Sequence, residues 1–259
     1  MTAKYPKGTE WRIWDLHVHS PASANYIGSW EEFIQQLGNS KCAVIGINDY
    51  TSVAGYKEVR RRLDDPAEAH KGNEAYQEAL KKLRAKTLLP VVEFRMNTVL
   101  QNKNSKSGTR LNFHIIFSDA VKADDIETFI KGLTVKDAMI GSRYDDPKFL
   151  LNDVSLNFDD TVKKLNADAT FKDKFLLWLP YDEYGGLDDI DPKADKYFKE
   201  GLTKAADILG SSNEKQRFFF LCKNEKFKPE EYAEWFGGPK PCIKGSDTHN
   251  ASHEIGRLK

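Results

Sequence analysis

Cysteine is scarce in this chain, three in 259 residues, and charge of either sign is not in excess, because 39 Lys and Arg stand against 39 Asp and Glu. Cys42, Cys222 and Cys242 are odd in number and show no CxxC spacing, so they are expected to be buried thiols in a reducing cytosol. A net charge of zero argues against a protein that coats nucleic acid non-specifically, since counterion release rewards an excess of Lys and Arg; a local basic surface stays open. The opening MTAKYPKGTEWR lacks the apolar stretch of a secretory signal, and no run approaches the ~20 apolar residues of a membrane span. The expectation is a cytoplasmic protein with no membrane contact. There is no Walker P-loop, no GxGxxG after a strand and no GxSxG elbow. Any ATPase involved therefore lies outside these residues. No internal repeat or low-complexity segment is present.

What the chain does have is an alternation of short apolar runs with amphipathic stretches, as in a parallel sheet covered by helices. Seven runs read as strands: Arg12–His19, Cys42–Ile47, Leu88–Phe94, Leu111–Phe117, Phe175–Leu179, Arg217–Cys222 and Cys242–Gly245. Between them lie helical patterns at Trp30–Leu37, Glu74–Lys86, Asp124–Gly132, Asp159–Leu165, Lys193–Leu209 and Pro229–Phe236. CAVIGI and FLLWLP hardly alternate, so they are expected to be buried on both faces. One α/β barrel would use the whole length. Residues 101–110, QNKNSKSGTR, read as a hairpin tip or loop, and residues 133–160 as an insertion.

The strongest chemical signal is Asp15-Leu-His17-Val-His19 at the end of the first strand. Alternation along a strand aims His17 and His19 the same way about 7 Å apart, within reach of one metal, and turns Leu16 and Val18 into apolar packing on the other face. Alone, HxH is weak. Yet Asp49 follows CAVIGIN, Glu93 ends LLPVVE, His114 lies in LNFHIIF, and Asp247 with His249 follows the last strand as GSDTH. In α/β barrels the C-terminal rim gathers catalytic groups because its loops converge on one mouth. These residues are therefore expected to share a site.

The ordered motifs DLHVHSPAS, GINDY, VVEF, FHIIF and GSDTHN resemble the polymerase and histidinol phosphatase (PHP) family of metal-dependent phosphoesterases, over essentially the whole chain. The resemblance implies a distorted (β/α)7 TIM-like barrel formed as a single domain over residues 1–259. EWRIWDLHVHSPAS and GINDYTSVAGY look most like the branch in which this module is the N-terminal part of a longer protein with an ABC- or SMC-like ATPase region, several of them linked to phage defence. Carried over, it makes His17, His19, Glu93 and Asp247 ligands of a first metal and joins Glu93 and His114 at a second. Asn25 and Tyr50 stand where the family has ligand histidines of a third metal, and LPYDEYGG lacks another, so that Asp182 or Glu183 is a substitute. The ending HEIGRLK fits a domain cut from a longer protein.

The expected cofactors are one or two divalent ions, with Mn, Zn and Fe all compatible with mixed imidazole and carboxylate ligands. Asp49 and His249 are the candidates for proton handling near the leaving group, although Asp49 could equally cap a turn. Asp15 is a candidate for a supporting role behind the ligands. Arg95, Arg110, Arg143 and Lys244 are the candidate cations for substrate phosphate, and Tyr181, Tyr184, Phe218–Phe220 and Trp235 read as packing aromatics. The reading is a phosphodiesterase or nuclease acting on nucleic acid or a nucleotide, with an ATPase domain or subunit as partner and homo-oligomerisation open. A catalytically decayed regulatory module and a small-molecule phosphatase are the alternatives.

Overall fold

The computed structural model describes residues 11–105, 107–136 and 138–257, without the side chains of residues 69 and 70. In chain order the strands are β1 (Trp14–His19), β2 (Val44–Tyr50), β3 (Thr87–Arg95), β4 (Leu100–Gln101), β5 (Gly108–Thr109), β6 (Asn112–Phe117), β7 (Thr134–Val135), β8 (Ala138–Met139), β9 (Phe175–Pro180), β10 (Ile208–Gly210) and β11 (Cys242–Ile243). The α-helices are α1 (Trp30–Asn39), α2 (Ala54–Asp64), α3 (Glu74–Leu83), α4 (Ala123–Lys131), α5 (Pro147–Asn152), α6 (Phe158–Ala167), α7 (Lys196–Ala205), α8 (Glu214–Phe220) and α9 (Pro229–Phe236).

Seven strands form one mixed sheet in the order β1-β2-β3-β6-β9-β10-β11. The sheet is not wholly parallel as expected. Between β3 and β6 the described residues form the β4–β5 hairpin and no helix, so the chain turns back on itself and β6 runs antiparallel to both neighbours. That reversal corrects the placing of His114 at a strand's C-terminal end. It lies near the N-terminal end of β6 and reaches the same rim because its strand points the other way.

The register then lines up a row of residues across the sheet. Tyr50 pairs with Glu93, Glu93 with His114, His114 with Trp178, and Trp178 with Ile208. At the far edge the segment after β11 returns to β1 through a parallel bridge between Val18 and Thr248, with His19 N–H donating to Thr248 O at 3.0 Å. This contact curls the sheet and carries Asp247 against the histidines. A Cβ at Gly245 would collide with the side chain of His17, so this approach requires glycine.

Two apolar layers follow from the curl. A small inner cluster of Leu16, Val91, Ile116, Trp178 and Ile208 fills the space beneath the rim, and a larger one that includes Val18, Ile45, Ile47 and Val92 packs sheet against helices. Leu16 and Val18 therefore do not share a face. The pairing of β1 with β2 shifts register between Asp15 and Val18, and a bulge of this kind re-aims side chains. Leu16 joins the inner cluster while both histidines still face the mouth.

Two further expectations are corrected. The expected strand Arg217–Cys222 is instead the last part of helix α8 and the turn after it, the helix being capped by Asn213, whose side chain accepts from Lys215 and Gln216 N–H groups. The sixth strand of the sheet is Ile208–Gly210, its first two residues falling within the amphipathic stretch Lys193–Leu209, because helix α7 stops at Ala205. Helix α2 has no clear signal in the sequence, because its strongly charged residues leave little buried beyond Gly55, Tyr56, Val59 and Leu63. Of the cysteines, all free, Cys42 is buried and Cys222 and Cys242 are half-buried. No helix among the described residues is long and apolar enough to cross a membrane.

Candidate metal centre

Four donor atoms from three parts of the chain meet at the mouth. His17 Nε2 lies 3.1 Å from His19 Nε2, 3.3 Å from Glu93 Oε2 and 3.4 Å from Asp247 Oδ1. His19 Nε2 lies 3.4 Å from Glu93 Oε2 and 3.7 Å from Asp247 Oδ1. A four-coordinate ion with bonds of about 2.1 Å sets neighbouring donors about 3.4 Å apart, so the pair His17 and His19 has the spacing of a divalent cation's ligands with Asp247 and likewise with Glu93. His114 Nε2 is 3.4 Å from the same Glu93 oxygen without hydrogen-bond geometry, and neither of its ring nitrogens has a hydrogen-bond partner among the described residues. Buried polar atoms left in that condition are costly unless something else satisfies them. The donor set thus fits a metal on two grounds, its spacing and its unsatisfied imidazole.

Asp247 has a left-handed backbone, φ 49°, a conformation that Asp tolerates better than most residues. His249 follows it. Its Nε2 is 3.1 Å from Asp247 Oδ1 and 3.4 Å from Tyr50 Oη, and its ring stacks on His19 at 3.9 Å. Trp178 supports the other side, stacked on His114 at 4.6 Å and edge-on to His17 at 5.4 Å.

The site's electrostatics are those of buried, mutually close charges. Burial opposes a charged His17, yet the hydrogen bond and attraction of Glu93, with Asp247, outweigh it and raise the ring to about 9. Burial lowers His19 to about 4, and it lowers His114 against the pull of Glu93. For Glu93, burial is overcome by the three histidines and the carboxyl is held well below the usual range; Asp247 is lowered in the same way by His249, His17 and His19.

Behind the donors lies a polar support. Ser23 Oγ donates to Asp49 Oδ1 at 2.7 Å, which leaves its lone pairs for His19 Nδ1–H at 3.1 Å. Asn48 Nδ2, 3.1 Å from His19 Nε2, agrees with that tautomer, in which Nε2 offers a lone pair to the centre. Asn48 also donates to Glu93 Oε2 at 3.1 Å, and Asn112 donates to Glu93 Oε1 at 2.8 Å. Strand alternation signals Asn48, which shares the inward face of β2 with Tyr50, but the amide that opens NDY attracts no notice as a ligand.

Asp49 itself is brought not to the donors but to the outward face of β2. It accepts from Ser20 Oγ, Ser23 Oγ and the Gly55 N–H, and burial raises its carboxyl to about 6 against those bonds. Asp15 accepts backbone N–H groups from His17, Ser246 and Gly256, tying β1 to the returning segment. Asn25 Nδ2 donates to Tyr50 Oη at 3.4 Å. Asp182 accepts from Ser211 Oγ at 3.1 Å. Its neighbour Glu183 has a buried, unpartnered Oε1, and burial raises it to about 7 despite His17 and Lys244.

The candidate cations separate. Arg95 and Arg110 line one cavity of about 250 Å³ beside the centre, and Arg95 also lines a narrow cleft with Glu93. Lys244 is half-buried and acts on Glu183. Arg143 stacks over Phe149 at 3.6 Å and faces Asp146, away from the donors' contacts. Tyr181 and Trp235 are partly buried against the core with Phe219 and Phe220, whereas Tyr184 is exposed.

No protein-family model matches the chain, and no curated protein does. Among solved structures, the fold is similar to that of a lesion-specific endonuclease from Pyrococcus furiosus, with a TM-score of 0.51 and 15% identity, covering 95% of this chain and 50% of that one. The chain thus spans half the length of that endonuclease. A protein assigned as a metal-dependent phosphoesterase from Bifidobacterium adolescentis aligns with a TM-score of 0.46 and 12% identity, over 93% of this chain and 89% of that one. At these identities the likeness to the endonuclease is one of fold.

Proposed function

We propose that the chain is a metal-dependent phosphoesterase of PHP type, its curled sheet a distorted (β/α)7 barrel, acting as a phosphodiesterase or nuclease. The observation that carries this reading is the meeting of two sets of donors at ligand spacing, His17 with His19 and Asp247, and His17 with Glu93 and His114. His17, His19, Glu93 and Asp247 would hold one divalent ion, and Glu93 with His114 would hold a second. A bound ion there would supply Lewis acidity toward a phosphoryl oxygen and an acidified water. Asn48 and Asn112 fix the Glu93 carboxylate, and Ser23, held by Asp49, fixes the His19 ring. His249, with a ring edge at Asp247, would give a proton to a departing oxygen. Arg95 offers charge to the phosphate.

The test is turnover of bis-p-nitrophenyl phosphate and p-nitrophenyl phosphate with Mn or Zn added. Diester hydrolysis that disappears in Glu93→Ala, with circular dichroism unchanged, supports the reading. Monoester turnover far above diester turnover selects a small-molecule phosphatase instead. The Asn25–Tyr50–His249 chain of contacts, standing where further ligands would be, favours a second reading: a module that holds metal without hydrolysis. An ATPase partner and a place in phage defence rest on the wording of the first two motifs alone.

A further inference from the structure

Three cavities follow one another across the rim. The first, about 210 Å³, lies between Pro21–Ala24, Tyr50 and the segment Tyr144–Leu150. The second is a narrow cleft that shares Tyr50 and Leu150 with the first and contains Glu93 and Arg95. The third shares Arg95 and is completed by Gly108, Thr109, Arg110, Tyr184 and Gly185. Glu93, the one donor that lines these cavities, therefore stands between two openings of similar size, and a closed pocket for one small phosphate monoester does not have that shape. The two ends differ in chemistry. The first is lined mainly by alanine, proline and aromatic side chains.

The third end is cationic and has an aromatic edge. Lys57, Arg61, Lys103 and Lys131 all pair with carboxylates. No carboxylate pairs with Arg95 or Arg110 among the described residues, and Arg95 Nε is held by Asn112 Oδ1 at 3.4 Å. Asn112 is the residue that holds Glu93, and its N–H donates to Gly185 O, which anchors the turn presenting Tyr184. Tyr184 is 81% exposed. Unpaired guanidinium groups beside an exposed ring are the elements of a single-strand site, in which charge tracks the backbone and a ring stacks a base.

Building on the phosphoesterase reading, we propose that this rim binds single-stranded nucleic acid, with one phosphate at the donor cluster, the next on Arg95 and Arg110 with its base against Tyr184, and the preceding nucleoside in the Tyr144 cavity. The test is fluorescence anisotropy of a fluorescein-labelled, hydrolysis-resistant phosphorothioate oligothymidylate with the full chain supplied with Mn, where binding is measured without turnover. The wild type binds. Tyr184→Ala weakens binding about tenfold with the salt dependence unchanged. Arg110→Ala weakens it and lowers the slope of log K against log salt by about 0.7, the share of one phosphate on a single strand. No binding, wild-type affinity in both variants, or tighter binding of the matching duplex overturns the proposal. Strand binding by a chain that hydrolyses no ester would sink the phosphoesterase reading and leave this surface standing; hydrolysis without strand binding would do the reverse.

Discussion

Ser23 is a small residue on which the centre depends. Its hydroxyl joins Asp49 to His19 Nδ1, so Ser23→Ala frees the imidazole to rotate and to change tautomer. Loss of such a supporting bond typically costs about 10–100-fold in metal affinity; isothermal titration with Zn is expected to show a fall of that order with the fold unchanged. Gly55 closes the other side of Asp49. A Cβ there would collide with Ser20 Oγ and Asp49 Oδ2, so Gly55→Ala is expected to lose about 2 kcal/mol in urea unfolding. Asp49 also carries a pH signature. Its folded carboxyl is raised from 3.8 to about 6, so its contribution to stability is full below pH 3.8 and is lost as pH rises through 6. The unfolding free energy of Asp49→Asn, relative to the wild type, is expected to improve from pH 4 to pH 6; an unchanging difference would refute that carboxylate's assigned environment.

Elements with regular signals were legible in the sequence. The α1 amphipathic pattern is one: Ser29 accepts from Glu32 N–H and Glu32 accepts from Ser29 N–H, a reciprocal cap. Ser29→Ala is expected to lose about 1 kcal/mol in thermal unfolding. His17, His19, Glu93, His114 and Asp247 were legible too, since each stood by a strand run. Elements governed by tertiary context were not. Phe218, Phe219 and Phe220 have strand propensity, but an Asn213 cap and packing of Phe219 and Phe220 against Tyr232 and Phe236 make the segment helical. Three residues suffice for β10 because β9 and β11 flank it, and so short a run has no periodicity of its own. The bulge at Leu16 was equally hidden, because alternation assumes an unbroken register. It separates Leu16 from Val18 and gives the rim its floor.

At the scale of the molecule, one reversal assembles the centre. The β4–β5 hairpin turns β6 antiparallel, which sets His114 opposite Glu93, and the return of residues 246–250 along β1 adds Asp247 and His249. The donors thus come from both edges and the middle of one curled sheet, and closing the curl is what makes a ligand set of them. The most direct test is metal content per chain by elemental analysis, for protein purified without chelator and offered Mn or Zn, beside Glu93→Ala. At least one equivalent in the wild type, falling sharply in Glu93→Ala, is the expected result; essentially none in the wild type under any metal would contradict the centre and the chemistry proposed for it.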